Sequence, residues 1–286
     1  TVANGGISAD GLSWKIKLQE GVKWHDGKPL TAEDVKFSLE LPLDPNLRVM
    51  RTTGYKLLKD ITVTSPTELT WTMTKPFAPM SAVLASTWII PKHAFEGVAD
   101  KNTALSNNTP IGTGPFKWKE RMAGDHIELE ANADYHMDGP FFKTLIVKYI
   151  PDLNVMYTQF KSGDVDVVGL QWITPDHYAE AKDLPGKTVE IAGTGTFESF
   201  GLNMMRPQFQ DLAVRQALYA AIDKTSIIDA LYYGIPRPTE TYMPQQSAYY
   251  NDALPKHDFN IAAANKLLDD AGWKKGADGI REKGGV

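Results

Sequence analysis

The chain has no cysteine in its 286 residues. That excludes disulfides, thiol nucleophiles and cysteine metal sites, and it is neutral about compartment. No apolar run approaches the roughly 18 residues of a membrane-spanning helix. A basic bias is also missing, since 30 Lys and Arg stand against 35 Asp and Glu for a formal charge of −5. Nucleic acid and anionic membrane are therefore not expected partners.

The usual catalytic constellations are missing too. The six histidines show no H-E-x-x-H spacing, and there is no G-x-S-x-G turn or P-loop. His25-Asp26 beside Gly27 reads as turn chemistry rather than acid–base chemistry. His126, Glu128, His136 and Asp138 come nearest to a metal set. Their spacing is loose, and surface residues of a strand and loop are the simpler reading. Gly112-Thr-Gly114-Pro115 is too short for a dinucleotide loop and reads as a backbone turn. No catalytic residue, metal ligand or cofactor is assigned.

What the chain does have is clear local punctuation. Trp14, Ile16 and Leu18 alternate as a half-buried strand. Gly27 supplies a turn, Pro29 stiffens the exit, and Thr31 with Asp34 has the spacing of a helix-capping box ahead of Val35, Phe37 and Leu39. Residues 61–63 and 69–73, joined by Ser65-Pro66-Thr67, predict a hairpin. Pro76 and Pro79 then break the pattern, and 102–110 reads as a polar surface loop.

Further along, Phe116-Lys-Trp118 and Ile127-Glu-Leu129 predict two strands around Ala123-Gly124-Asp125, with Arg121 in the connecting loop. Residues 142–150 predict another strand. Asp152 is placed to cap a helix ending near Gly163, and Val165, Val167 and Val168 read as a buried strand after it. This strand–helix–strand succession predicts an α/β layer. Residues 189–191 and 197–203 read as further strands. Asp211 and Asp223 are placed to cap two helices, the second ending at Gly234 before Pro236; residues 261–272 read as a third.

Seven Trp, eleven Tyr and eleven Phe supply aromatic surface for a ligand cleft, although Trp14, Trp24, Trp71 and Trp118 are expected in the core. Trp172 follows a predicted buried strand, and strand ends in α/β sheets often edge a ligand crevice.

Taken in order, these segments resemble a known family. The stretch Gly21–Glu40 (GVKWHDGKPLTAEDVKFSLE) is similar to the signature of extracytoplasmic dipeptide- and oligopeptide-binding proteins, the solute receptors of ABC importers (solute-binding protein family 5). Ile111–Phe116 (IGTGPF) with Trp118 resembles a second block. Phe160–Val167 (FKSGDVDV) resembles a third. Leu202–Phe209 running into Asp211–Leu218 and Ile222–Lys224 resembles a fourth.

The resemblance implies a periplasmic binding protein-like α/β fold of type II, in the large three-part peptide-binding subclass. It implies a strand-rich part over 1–110, an α/β part with a crossover strand over 111–203, and the beginning of a second lobe over 204–286. It also implies a fragment, incomplete at both ends. The implied function is non-covalent capture of a peptide or other small solute between two lobes, followed by delivery to ABC permease subunits. Related receptors take nickel chelates, haem, oligosaccharides or opines, and a sensor or chaperone-like role for the same fold is the alternative of another class. A monomer is expected, in the periplasm or anchored outside the membrane as a lipoprotein.

For the ligand, the resemblance places Phe197, Phe200 and Asn203 where the second part crosses to the third, suited to stacking and to recognition of backbone amides; ordinary strand packing is the competing reading. It puts Arg121 near the cleft, where a guanidinium suits a ligand carboxylate, against a plain solvated arginine. Trp172 completes the candidate set.

Overall fold

The computed structural model describes residues 6–169 and 175–285. They group into two compact units, 1–149 and 150–286.

The first unit is built on an antiparallel sheet. Strands β1 (Gly6–Ile7) and β2 (Ser13–Lys17) precede helix α1 (Ala32–Glu40), and β3 (Leu58–Ser65) and β4 (Glu68–Met73) follow as a hairpin, giving the order β1-β2-β4-β3. Alternation along β2 buries Trp14 and Ile16, as the sequence pattern predicts. These pair directly with Trp71 and Leu69 of β4, and the two indoles stack at 5.6 Å with 13° between their planes. Helix α1 lays Ala32, Val35 and Leu39 against this layer, and Met80 at the start of α2 (Met80–Ala85) joins the same core. Trp24 is buried as expected, whereas Trp118 on β5, also expected in the core, is only half-buried.

The start of α1 shows why Asp34 matters. Its carboxylate accepts the Thr31 N–H at 2.9 Å, which is one half of the capping box. The buried side chain also accepts the Lys92 N–H at 2.9 Å and approaches the Trp24 indole N–H at 3.4 Å. One carboxylate thus satisfies a helix end and a loop 58 residues away.

A second antiparallel sheet, β5 (Phe116–Met122), β6 (His126–Ala131) and β7 (Thr144–Lys148), completes this unit. Pairing of β5 with β6 slips between Trp118 and Glu120, leaving Lys119 as an extra residue. The segment expected as a polar loop contains short 3-10 turns at 101–103 and 105–107.

The second unit opens with α3 (Leu153–Ser162). Asp152 accepts the N–H groups of Asn154 and Val155, both at 2.9 Å, and Gly163 ends the helix at φ 87°. Helix α4 (Pro175–Ala181) packs on it through Ala181, against Tyr157 and Phe160. Helices α5 (Pro207–Gln210), α6 (Leu212–Ala220), α7 (Lys224–Tyr232) and α8 (Ile261–Asp270) follow, then a short hairpin of β8 (Lys274–Lys275) and β9 (Arg281–Glu282). Asp211 and Asp223 cap α6 and α7 as predicted.

Three expected strands are absent from the described ladders. Residues 165–168, 189–191 and 197–203 run without strand pairing, and Val167, expected to be buried, is 83% exposed. Apolar alternation marks a segment able to join a sheet, but a strand exists only once a partner supplies its N–H and C=O groups.

Candidate functional site

The candidate ligand residues occupy different settings. Arg121, expected in a loop, lies on β5 opposite Ile127, because pairing with β6 resumes after the slip at Lys119 and continues to Met122. Ile127 pairs in turn with Val147, so Arg121 shares the sheet face carrying those two aliphatic side chains. Its guanidinium is exposed and makes no ion pair among the described residues.

Phe197, Phe200 and Asn203 lie on the run 187–203, which carries neither helix nor strand. Phe200 is 74% exposed and Phe197 48%. Phe197 meets Tyr242 at 6.4 Å between ring centroids. The Asn203 carboxamide oxygen accepts the Met205 N–H at 3.0 Å, and its backbone carbonyl accepts the Arg206 N–H at 3.0 Å. This turn leads into α5 and leaves the Asn203 Nδ2 group without a hydrogen bond among the described residues. Trp172 lies outside the described residues.

Two side-chain hydrogen bonds reach this run from segments that local sequence patterns do not connect to it. Gln246 Nε2 donates to the Thr194 carbonyl at 2.6 Å, and the Tyr232 hydroxyl donates to Glu198 at 2.5 Å. The anchors come from 34 and 52 residues downstream. No periodic signal connects such distant positions.

Next to this region Glu240 gathers a polar cluster. It accepts from Lys224 at 2.6 Å and from the Tyr219 hydroxyl at 2.5 Å, and pairs with His257 at 3.1 Å. Burial pushes its carboxyl up, but the bonds from Lys224, Tyr219 and His257 outweigh that and hold it down at about 2. All its oxygens are engaged by protein groups, so the cluster is read as structural.

Of the loose metal set considered from sequence, His126 and Glu128 are brought together with Glu120, not with His136 and Asp138. One donor atom from each of the three lies within 4.8 Å of the others. Lys119 already meets Glu128 at 2.8 Å, and Asp125 meets His126 Nδ1 at 2.9 Å. An ion-paired sheet face accounts for this grouping.

Two cavities among the described residues lie elsewhere. One of about 360 Å³ is walled by Leu41, Leu47, Ile90 and Phe95 with Arg48 and Lys101 at its polar side. Another of about 230 Å³ lies between α6 and α8. Neither is lined by a sequence-predicted ligand residue.

The family model for bacterial extracellular solute-binding proteins, family 5 Middle, matches residues 2–285. The oligopeptide-binding protein AppA of Bacillus subtilis is 33% identical over 96% of this chain, which covers 51% of that protein. The structure of B. subtilis AppA in complex with a nonapeptide aligns with a TM-score of 0.75 at 31% identity, over 100% of this chain and 58% of that one. The structure of NikA from Brucella suis in complex with Fe(III)-EDTA aligns with a TM-score of 0.86 at 28% identity, over 98% and 57%. The α/β fold expected from the sequence is the fold of these proteins, and the chain spans about half the length of the curated relatives it matches.

Proposed function

The chain belongs to the bacterial extracellular solute-binding proteins of family 5, and from that premise we propose a receptor that captures di- or oligopeptides and delivers them to the membrane permease of an ABC importer. The observation that carries the peptide reading is the similarity to the oligopeptide-binding protein AppA along nearly the whole chain. Extended peptides suit such a receptor, because main-chain hydrogen bonds supply affinity while roomy pockets tolerate varied side chains.

In this reading residues 1–110 and 111–203 belong to the first lobe and 204–286 begin the second. Phe197, Phe200 and Asn203 face the solute from the crossing segment, with Trp172 and Arg121 as further contacts. Capture needs no covalent step. Ligand contacts to both lobes stabilise the closed form, and that closed form docks on the permease. The receptor acts as a monomer outside the cytoplasmic membrane, free in a periplasm or lipid-anchored, without nucleic acid and without turnover of its ligand.

The likeness to NikA holding Fe(III)-EDTA supports a second reading within the same class, a chelated metal as solute. A sensor or chaperone-like partner role is the alternative of another class. Deleting the gene and measuring uptake of labelled peptides tests the proposal. Loss of peptide uptake is expected; intact uptake of peptides together with loss of metal-chelate uptake would transfer the assignment to the second reading.

A further inference from the structure

The His25 side chain spans two backbone groups of a distant segment, and both partners have fixed roles. The Gly112 N–H points at His25 Nδ1 at 3.1 Å, and His25 Nε2 lies 3.0 Å from the Gly114 carbonyl oxygen. A backbone N–H only donates and a carbonyl only accepts, so Nδ1 must be bare and Nε2 must carry the proton. The ring is thus a neutral imidazole in one defined tautomer. A third bond runs beside it, from the His25 N–H to the Gly112 carbonyl at 2.8 Å.

The segment is built to receive the ring. A Cβ added at Gly112 would stand 3.3 Å from His25 Cε1, so a side chain there would press on the imidazole. The Gly114 carbonyl accepts a second bond, from Nδ2 of the buried Asn132 at 2.9 Å. His25 thereby ties the turn at 22–30, which feeds α1, to the chain entering β5.

We infer that His25 is a proton-gated latch: its neutral ring holds the 22–30 turn to residues 112–114, and protonation opens that joint. A second ring proton would set an Nδ1–H against the Gly112 N–H, donor against donor, and turn one attraction into a repulsion.

Charges around the ring bias the latch both ways. Lys117 on β5 opposes a second proton, whereas Asp26 in the same turn favours it; Asp26 is itself paired with His93 at 2.7 Å. Burial is the largest influence and holds the His25 imidazole below its ordinary value, opposed by the Gly114 bond. With the folded value depressed, the unfolded chain binds the proton more readily. The latch therefore contributes fully above about pH 6.5, and its contribution is lost as pH falls towards and through the folded value. This device does not depend on which solute is carried.

The test is NMR on the full chain from pH 8 to pH 5. It follows the His25 ring nitrogens together with hydrogen exchange at the Gly112 amide, referenced to the Met73 amide, which is bonded to the Leu12 carbonyl. At pH 8 the proton is expected on Nε2. Gly112 exchange should rise about tenfold relative to Met73 over the interval in which the ring gains its second proton. A proton on Nδ1 at pH 8, or Gly112 protection unchanged while the ring titrates, overturns the latch. In His25→Gln, which keeps a donor and an acceptor but does not titrate, Gly112 protection should no longer vary with pH. Variation at the original midpoint would assign the effect to the Asp26–His93 pair and defeat the proposal. If that variant does not fold, the wild-type titration decides alone.

Discussion

Asp211 accepts a hydrogen bond from the Trp273 indole at 2.9 Å, across 62 residues of sequence. The same carboxylate caps α6 through the Ala213 N–H and meets Lys283 at 3.0 Å, so one side chain joins a helix start to the terminal hairpin region. These three contacts, the Trp273 bond foremost, hold its carboxyl down at about 2. A depressed folded value means that the unfolded chain takes up the proton first. The contribution is complete above about pH 4 and disappears as pH falls towards 2. Asp211→Asn should lower the melting temperature at pH 7 and flatten the loss of stability between pH 4 and 2. An unchanged acid limb of the melting curve would show that Asp211 is not the group responsible.

A larger effect is expected at Asp34. Replacing it by Ala strands the Thr31 and Lys92 N–H groups, two donors that are hard to satisfy where the carboxylate is buried. The expected cost is about 1–3 kcal/mol. Urea unfolding measures it as a drop in midpoint at unchanged slope. Asp34→Asn retains one acceptor oxygen and should lose less. Equal losses in the two variants would contradict the hydrogen-bond account.

Core packing gives an independent check on the first unit. Leu39 is fully buried against the sheet. Leu39→Ala should cost about 2–5 kcal/mol, the larger value if the site cannot collapse. A cost below about 1 kcal/mol would mean that α1 is not packed as described.

For ligand capture the informative pair is Phe200 and Asn203. Both side chains are exposed, so Ala at either position should leave the melting temperature within a degree or two. In the full-length receptor the same changes should weaken peptide affinity about tenfold each, read by calorimetric titration. Unfolding of the variants would instead support a packing role.

Local signals made much of this fold legible. Asp152 and Gly163 bracket α3 because both helix ends are encoded within a turn of the residues they cap. Trp14 and Ile16 declare their buried face through alternation alone. Arg121 belongs to a strand rather than a loop because β6 pairs with β5 beyond the slip at Lys119, and that pairing is not encoded in either strand alone. Val167 carries the composition of a buried strand yet stands exposed, since burial and pairing are supplied by other segments. The candidate site was legible only as residue types on a run without helix or strand. Its anchors at Tyr232, Tyr242 and Gln246 are distant in sequence and left no pattern to read.

The most direct test of peptide capture is mass spectrometry of small molecules released by denaturing the gently purified full-length protein. A peptide receptor is expected to release a ladder of short peptides. A single non-peptide species, such as a metal chelate or a sugar, would contradict the peptide assignment while leaving the receptor class in place.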